Sequence, residues 1–367
     1  MTTLHETARL GQSIWYDNIR RGLFESGELA AWRDAGVTGL TSNPAIFEGA
    51  IAGSADYDAD LSRLAGEGKS DAEIYETLAL EDIRRAADLF RPVYDQTGGV
   101  DGYISLEVSP ALAHDADGTI AEARRLFAVL DRPNVMIKVP ATPAGLIAIP
   151  LLIAGGVNVN ATLIFALANY TSVVEAYMIG LEHRAESGGN LSMVASVASF
   201  FISRIDTLVD GALAEIGATA LLGKIGIASA RLAYERFCEA TASERWQRLA
   251  AQGARVQRPL WASTGTKNPR YPDTLYVDNL IGSDTVNTVP PATLAAFLDH
   301  GRAGATLTAG IEETRADMMR LAQAGIDLDA ITKKLQEDGV AAFARSFESM
   351  MGAIREKRTR LLAGGGR

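Results

Sequence analysis

The chain has 367 residues, of which 47% are hydrophobic and 22% charged, as in ordinary globular proteins. Its formal net charge of −10, with no long basic run, argues against nucleic acid or an anionic membrane as a partner. The single cysteine, Cys238, excludes an internal disulfide framework. The sequence has no secretory leader and no apolar stretch long enough to span a bilayer, so we expect a cytoplasmic protein.

The histidines lie far apart and form no metal-ligand pattern. They are His5, His114, His183 and His300. Paired helical histidines or clustered cysteines and histidines are typical of metal sites, and neither pattern occurs in this sequence. We therefore expect no metal site and no bound cofactor.

Short extended segments alternate with helical segments along the chain. The predicted strands span residues 13–17, 39–43, 102–108, 135–141, 157–163, 191–199, 258–264 and 284–289. The predicted helices between them include residues 28–35, 120–130, 146–154, 165–185, 201–216 and 226–251. Repeated βα alternation builds a parallel sheet, and eight units predict a closed (β/α)8 barrel, the TIM barrel of the α/β class.

The chain is longer than the roughly 250 residues that such a barrel commonly needs. We expect a helical insertion at about 49–90 and C-terminal helices at about 291–361 to decorate the barrel. No repeat, linker or low-complexity tract marks a second domain. The sequence therefore predicts one TIM-barrel domain over residues 1–367, with a frayed glycine tail at 364–366.

Lys138 stands out in the predicted fourth strand, where its neighbours Ile137 and Val139 are apolar. An isolated buried charge is costly, so a lysine here either meets an anion or gives up its proton. A neutral amine in an enclosed site attacks carbonyl carbon to form a Schiff base. A lysine at a strand end or in a structural ion pair explains the same pattern, so the other strands must decide.

Polar and apolar residues alternate in two further predicted strands. The polar set is Asn158, Asn160 and Thr162 in the fifth strand, and Ser105, Glu107 and Ser109 in the third. Alternation with period two places each set on one face, which in a barrel is the lumen. An antiparallel sheet with one wet face alternates in the same way, but helices at nearly every crossover argue against it.

A carboxylate and an amide end the first two predicted strands. Asp17 ends the first strand, and Asn43 ends the second, before Pro44. Active sites of (β/α)8 barrels lie at the carboxyl ends of the strands, where these side chains would join Lys138 and Glu107. Taken singly, Asp17 is equally well explained as a helix N-cap and Asn43 as a turn residue. Their combination favours a site.

Two segments suit an anion such as phosphate. Residues 263–267, from Ser263 to Lys267, offer hydroxyls, a glycine and a cation after the seventh strand, where barrels often bind phosphate. Arg204 begins the helix after the sixth strand, so its guanidinium and free N–H groups can converge on the same anion. Arg204 is equally suited to pair with Asp206 or Asp210, and the serine and threonine loop alone is typical of turns.

Several separated motifs resemble, in order, the signature segments of transaldolases, and the resemblance covers nearly the whole chain. They are the Asp17 strand end, Thr41-Ser42-Asn43-Pro44, Ser105-Leu106-Glu107-Val108, Ile137-Lys138-Val139, Asn160-Ala161-Thr162-Leu163 and Ser199-Phe200-Phe201-Ile202-Ser203-Arg204. The resemblance implies a Schiff-base enzyme of the pentose phosphate pathway. Such an enzyme transfers dihydroxyacetone from sedoheptulose 7-phosphate to glyceraldehyde 3-phosphate.

This resemblance also implies residue roles. Lys138 forms the imine with the donor ketose, and Asp17 takes the proton of the C4 hydroxyl as the C3–C4 bond breaks. Glu107, with Thr162, orients the water that shuttles protons during imine formation and hydrolysis. The remaining substrate-binding residues are Asn43 and Asn160 for the hydroxyls of the three-carbon fragment, with Ser199, Phe201, Arg204, Ser263 and Lys267. Lys267 departs from the family pattern, which places an arginine in this region.

Two alternatives stay open. Fructose-6-phosphate aldolases share the barrel and the lysine. They otherwise resemble this chain, but they have glutamine at the position of Glu107 and tyrosine at the position of Phe201. Both residues therefore favour transfer. A non-catalytic barrel that binds sugar phosphates would keep Arg204 and Ser263 without needing Lys138 and its carboxylates. The sequence is compatible with a homo-oligomer and does not define one.

Overall fold

Eight parallel strands close into a barrel in the computed structural model, which describes residues 2–364, with side chains up to residue 362. The strands follow one another around the barrel in sequence order. They are β1 (Gln12–Tyr16), β2 (Val37–Thr41), β3 (Ile104–Glu107), β4 (Val135–Pro140), β5 (Val159–Ile164), β6 (Ser196–Phe201), β7 (Arg258–Ala262) and β8 (Thr285–Val289). The predicted (β/α)8 barrel is confirmed. Of the glycine tail predicted at 364–366, Gly364 ends α16, and residues 365–366 lie outside the described residues.

Helices surround the barrel and connect its strands. They are α1 (Thr3–Arg9), α2 (Arg21–Glu25), α3 (Glu28–Ala35), α4 (Pro44–Gly53), α5 (Asp58–Gly66), α6 (Asp71–Gln96), α7 (Ala116–Leu130), α8 (Pro143–Ala154), α9 (Leu167–Glu186), α10 (Ser203–Glu215), α11 (Ile225–Ala242), α12 (Glu244–Ala250), α13 (Leu275–Asn279), α14 (Pro291–His300), α15 (Ile311–Gln323) and α16 (Leu328–Gly364). Over the described part of the chain, we find no helix with the length and apolar character needed to cross a membrane.

The sixth strand differs from its prediction over residues 191–199. It runs instead from Ser196 to Phe201. Asn190 Oδ1 accepts a hydrogen bond from the Ser192 N–H over 2.9 Å and stabilises a 3₁₀ turn where the strand was expected. At the other end of the strand, Phe201 belongs to β6 and not to the following helix.

The helix predicted over residues 226–251 is two helices, α11 and α12. The chain bends at Ser243, whose backbone is extended. Its Oγ accepts a hydrogen bond from the Trp246 N–H over 3.2 Å and so caps the start of α12. A serine inside an apolar periodic segment therefore marks a helix start here.

Strand register places several predicted lumen residues side by side. Glu107 of β3 pairs with Lys138 of β4, and Lys138 pairs with Asn160 of β5. Thr162 pairs with Pro140, one layer nearer the carboxyl ends of the strands. Because paired residues of parallel strands point to the same side, Glu107, Lys138 and Asn160 share one face of the sheet.

The long helix α16 lies across the carboxyl end of the barrel and packs against α4 and α5. Gln336 Nε2 donates hydrogen bonds to Ala141 O over 3.0 Å and to Leu163 O over 3.1 Å. These carbonyls lie at the ends of neighbouring strands. Further along the helix, the Phe343 ring centroid lies 6.0 Å from Lys138 Nζ. The C-terminal helix therefore covers part of the barrel mouth.

The amino end of the barrel contains a buried cluster of charged and polar side chains. Arg258 Nη2 donates to Ser13 Oγ over 2.7 Å and to Thr285 O over 2.5 Å. Asp101 accepts hydrogen bonds from Ser13 Oγ and, over 2.7 Å, from Trp15 Nε1. Arg258 Nη1 lies 3.9 Å from Asp101 Oδ2. Protein atoms thus bond both buried charges, and only Nε of the Arg258 guanidinium lacks a hydrogen-bond partner among residues 2–364.

Candidate active site

Lys138 lies on β4 inside the carboxyl end of the barrel, where its side chain is only 6% exposed. Its Nζ donates a hydrogen bond to Ser42 O over 3.0 Å. The same nitrogen lies 3.4 Å from Glu107 Oε2, within ion-pair distance, and Phe343 of α16 covers it. Of the two options that the sequence left, this buried lysine meets an anion.

Glu107 is the carboxylate that faces this lysine. Burial raises the pKa of its carboxyl above the ordinary value, and the charge of Lys138 opposes that rise. Neither carboxylate oxygen has a hydrogen-bond partner among residues 2–364. A proton moving from Lys138 to Glu107 would leave a neutral amine and a neutral acid, the pair that imine chemistry needs.

Asp17 follows β1 and lines the same cavity as Lys138. Its Oδ1 accepts a hydrogen bond from Thr41 Oγ1 over 2.7 Å, and Thr41 Oγ1 lies 2.5 Å from Thr288 Oγ1. Burial raises the pKa of Asp17, while the charge of Lys138 and the Thr41 hydrogen bond lower it. A carboxyl with a raised pKa is suited to take a proton during a reaction at neutral pH.

A hydrogen-bond chain crosses the lumen beneath the lysine. Ser199 Oγ donates to Asn160 Oδ1 over 2.6 Å, and Asn160 Nδ2 donates to Ser105 Oγ over 3.1 Å. Thr162 Oγ1 is buried and, within the described chain, has no hydrogen-bond partner. These contacts orient Asn160 and Ser199, while the Thr162 hydroxyl stays available to a substrate or a water.

Two other predicted residues, Asn43 and Asn158, make structural hydrogen bonds, and a third, Ser109, lies outside its predicted strand. Asn43 Oδ1 caps α4 by accepting from the Ile46 N–H over 3.0 Å, yet the side chain also lines the cavity and has its amide group to offer. Asn158 lies just before β5. Its Nδ2 donates hydrogen bonds to backbone carbonyls, including Val135 O over 2.9 Å. Ser109 lies beyond the end of β3, so its predicted place in that strand is wrong.

Arg204 is the second residue of α10 and lines the same cavity as Lys138. Its guanidinium carbon lies 5.1 Å from the centroid of the Phe201 ring. Burial lowers the pKa of Arg204, although the charges of Asp17 and Glu107 oppose the shift. Among the ion pairs of residues 2–364, none involves Arg204, so an anion can bind here without displacing a carboxylate.

The two carboxylates that the sequence offers as partners for Arg204 are bonded elsewhere. Asp206 accepts from the Gly226 N–H over 2.7 Å and from the Tyr276 hydroxyl over 2.9 Å. Asp210 accepts from the Gly223 N–H over 2.9 Å. The open alternative of a structural Arg204 ion pair therefore fails for both acids.

The loop after β7 completes the cationic side of the cavity. Ser263 has a φ of +56°, in the left-handed region, and its Oγ lies 2.9 Å from Ser203 Oγ. Lys267 is exposed at the rim and lines the same cavity as Arg204. The backbone conformation at Ser263 turns the loop across the cavity towards α10.

The cavity has a volume of about 160 Å³. Its walls include the predicted residues Asp17, Asn43, Lys138, Thr162, Ser199, Phe201, Arg204, Ser263 and Lys267. Glu107 and Asn160 adjoin it through Lys138 and Ser199. Sequence reasoning missed Thr41, Thr288 and Phe343 as wall residues. Thr41 lies within a recognised motif, whereas no local pattern singles out Phe343 in its distant helix.

No three histidine, cysteine, aspartate or glutamate side chains are grouped as metal ligands in residues 2–364. The arrangement instead combines an amine, two carboxyls with raised pKa values and an unpaired guanidinium. These are the groups that can attack a carbonyl, transfer protons and bind a phosphate.

Comparisons with known proteins cover almost the whole chain. The family model described as transaldolase/fructose-6-phosphate aldolase matches residues 14–354. A transaldolase of Trichodesmium erythraeum (strain IMS101) is 46% identical over 97% of this chain and 98% of its own length. A transaldolase of Parafrankia sp. (strain EAN1pec) is 48% identical over 96% of this chain and 97% of its own length. A transaldolase of Neisseria gonorrhoeae (strain ATCC 700825 / FA 1090) is 47% identical over 96% of this chain and 100% of its own length. The chain therefore belongs to the transaldolase/fructose-6-phosphate aldolase family.

Proposed function

We propose that this chain is a transaldolase that transfers a dihydroxyacetone unit from sedoheptulose 7-phosphate to glyceraldehyde 3-phosphate through an imine on Lys138. The observation that carries the proposal is the buried lysine, 3.4 Å from Glu107, in one cavity with Asp17 and Arg204. The names of the three similar transaldolases support it.

Imine formation begins when Lys138 gives a proton to Glu107 and its neutral amine attacks C2 of the ketose. A proton then moves from nitrogen to oxygen, which gives a neutral carbinolamine. Glu107 protonates the C2 hydroxyl, which leaves as water while the C2=N bond forms as a protonated imine. The raised pKa of Glu107 favours the acid form that this step uses. The buried Thr162 hydroxyl can orient the water.

Carbon–carbon cleavage follows from the positive charge on the imine. Asp17 takes the proton of the C4 hydroxyl, the C3–C4 electron pair moves to the iminium nitrogen, and an aldehyde leaves. The three-carbon fragment stays on Lys138 as a neutral enamine. A new aldehyde then reacts by the reverse steps, and Glu107 assists hydrolysis of the new imine.

The other residues of the cavity orient the substrate. Arg204 binds the phosphate through charge-assisted hydrogen bonds, and Lys267 adds a second cation at the rim. Asn43 and the Asn160–Ser199 pair bind hydroxyls of the three-carbon fragment. We further propose that the chain works as one domain with decorating helices, acts in the cytoplasm in the pentose phosphate pathway, and is able to form a homo-oligomer.

The test must separate transfer from simple cleavage, because the matching family includes both activities. Purified protein is incubated with fructose 6-phosphate, with and without erythrose 4-phosphate. Without acceptor, a transaldolase releases at most one equivalent of glyceraldehyde 3-phosphate per site; with acceptor, it turns over continuously and forms sedoheptulose 7-phosphate. Glyceraldehyde 3-phosphate released at the same rate without acceptor would identify an aldolase. No release in either mixture would reject both activities for this donor.

A further inference from the structure

Gly339 lies in the interior of α16, the long helix that covers part of the barrel mouth. A glycine at such a position costs a helix about 1 kcal/mol relative to alanine. Gly339 is buried, whereas a Cβ added at Gly352, the next glycine of the helix, would meet no atom within 4 Å. A glycine inside a helix that is kept despite its cost has a packing or functional reason, which its neighbours can show.

Arg204 is one of the side chains that a Cβ at Gly339 would approach. Such a Cβ would lie 3.7 Å from Arg204 Nη1 and 3.1 Å from Leu163 Cδ2. Gln336 and Phe343, three residues before and four residues after Gly339, share its face of the helix and lie over the strand ends and Lys138. One face of α16 is therefore turned to the barrel mouth, and Gly339 is its residue beside the guanidinium.

The Arg204 guanidinium has free donors at this place. It is partly buried, and no hydrogen bond or ion pair holds it within the described chain. Its neighbours include the Phe201 ring, with the guanidinium carbon 5.1 Å from the ring centroid, and the backbone of α16 at Gly339. A guanidinium has five N–H donors and pairs readily with a carboxylate in reach. An acidic side chain on α16 at this point would thus compete with a substrate phosphate.

The acidic residues next to Gly339 are turned to the solvent. Asp338 Oδ2 accepts a hydrogen bond from Lys334 Nζ over 2.7 Å, one turn earlier on α16. Both Asp338 and Glu337 are exposed. Carboxylates are therefore close in sequence, but the residue of this helix that lies beside Arg204 has no side chain.

We propose that Gly339 is a specificity-determining residue for phosphorylated substrates. Because Gly339 has no side chain, α16 passes beside Arg204 without supplying a group that competes with the phosphate for the guanidinium. This inference rests on the proposed function, in which Arg204 binds the phosphate, and adds to it a residue of α16 that keeps the guanidinium available.

Gly339→Asp tests the proposal by supplying the competing carboxylate. The carboxylate begins one bond beyond the Cβ, within reach of Nη1, so we expect it to pair with Arg204. KM for fructose 6-phosphate, with erythrose 4-phosphate as acceptor, should rise by at least about tenfold, whereas the weak reaction with unphosphorylated fructose should change little. A folded Gly339→Asp variant with the wild-type KM for fructose 6-phosphate overturns the proposal.

Two controls separate a charge at this position from other effects. Gly339→Asn has the same shape without the charge, so we expect KM for fructose 6-phosphate to rise by less than about threefold. Gly352→Asp places the carboxylate on the same helix in open space and should keep wild-type kinetics. Equal increases in the Asp and Asn variants of Gly339, or equal losses on both sugars, reject the proposal, because they would report disturbed packing of α16.

Stability gives a second measurement of the same contact. If Arg204 pairs with the new carboxylate, Gly339→Asp should unfold at a urea concentration at least as high as that for Gly339→Asn. Failure of Gly339→Asp to fold while Gly339→Asn folds contradicts the proposal, since the carboxylate would then have no cation in reach. If neither folds, Gly339→Ser decides. A rise in KM for fructose 6-phosphate of about twofold or more supports the proposal, and an unchanged KM rejects it.

The proposed function and the role of Gly339 fail in different ways. Wild-type enzyme that forms no sedoheptulose 7-phosphate defeats the transaldolase activity. Wild-type transfer together with an unchanged KM for fructose 6-phosphate in Gly339→Asp defeats only the role of Gly339.

Discussion

Both ends of the barrel contain charged side chains that are removed from water, but the partners of those side chains differ. At the amino end, Arg258 and Asp101 are held by Ser13, Trp15 and a backbone carbonyl. At the carboxyl end, Glu107 faces Lys138 over 3.4 Å but accepts no hydrogen bond from residues 2–364, and Arg204 has no carboxylate partner among those residues. At the amino end, loss of one charged partner would leave the other buried and unpaired, whereas at the carboxyl end the Arg204 guanidinium is free to bind a substrate anion.

This difference has an energetic meaning. A charge that is removed from water without a partner costs stability, so folding alone does not favour the Arg204 guanidinium at the carboxyl end. Burial also lowers the pKa of Arg258, so both ends carry a cost of this kind. At the carboxyl end, burial raises the pKa of Asp17 and of Glu107 and lowers the pKa of Arg204, which reflects the cost there. A bound sugar phosphate would offset part of it by supplying the missing partners. The substitutions below test whether the two ends differ in this way.

Removal of Lys138 should have the largest effect on activity. Lys138→Ala deletes the only amine proposed to form the covalent intermediate, so we expect transfer activity to fall by at least about 10³-fold. Lys334→Ala, on the exposed face of α16, is the control and should keep wild-type activity. A Lys138→Ala enzyme that retains a tenth or more of the activity, about 1.4 kcal/mol or less in barrier, would contradict the mechanism.

Replacement of the two carboxyls should separate two proton-transfer steps. Asp17→Asn removes the base for the C4 hydroxyl, so we expect cleavage of C3–C4 to slow by about 10²–10⁴-fold with little change in imine formation. Glu107→Gln should slow imine formation and hydrolysis over a similar range. Rapid-quench kinetics measures each step. Identical defects in the two variants would reject the division of roles.

Replacement of Arg258, which is buried, and of Arg204, which is partly buried, should give opposite results for stability and activity. Arg258→Met leaves Asp101 buried without its cation, so we expect the free energy of unfolding to fall by about 3 kcal/mol. Arg204→Met should change it by less than about 1 kcal/mol, because Arg204 makes no ion pair within the described chain. Urea denaturation measures both values. Equal losses would remove the distinction between the two barrel ends.

Loss of Arg204 should affect only phosphorylated substrates. Arg204→Ala removes a charge-assisted contact, so we expect KM for fructose 6-phosphate to rise by at least about tenfold, or roughly 1.4 kcal/mol. The weak reaction with unphosphorylated fructose should change little. Steady-state kinetics on both sugars provides the comparison. Equal losses on the two would assign the phosphate to Lys267 and the loop after β7 alone.

The smallest expected effect is a gain in stability that depends on pH. Burial raises the pKa of Glu107 above 4.5, so the folded protein binds this proton more tightly than the unfolded chain does. Its contribution to stability is present below about pH 4.5 and is lost as pH rises through the raised pKa. Glu107→Gln removes this ionisation.

The variant should therefore exceed wild type by roughly 1 kcal/mol near neutral pH, with the difference shrinking towards pH 4.5. Urea unfolding over this pH range measures the difference. Glu337→Gln, at an exposed position of α16, is the control and should show no such trend. A Glu107→Gln variant less stable than wild type at neutral pH would show that ionised Glu107 stabilises the fold.

Strand periodicity explains why much of the fold and of the carboxyl-end cavity was predictable. Alternation of polar and apolar residues in two strands predicted that Glu107 and Asn160 face the lumen. In the structure, the strand register pairs both residues with Lys138, so that all three lie on one face of the sheet. Phe343 was not predictable, because a helix far along the chain brings it over the lysine. The start of β6 was missed because the Asn190 side chain competes with strand pairing.

Covalent trapping of the intermediate tests the central claim most directly. Wild-type protein is treated with borohydride in the presence of fructose 6-phosphate, and its peptides are mapped by mass spectrometry. An imine that has undergone C3–C4 cleavage is reduced to a stable amine that carries three carbons. We predict this adduct on Lys138. A three-carbon adduct on another lysine, or no adduct in an enzyme that catalyses transfer, would contradict the assignment of Lys138.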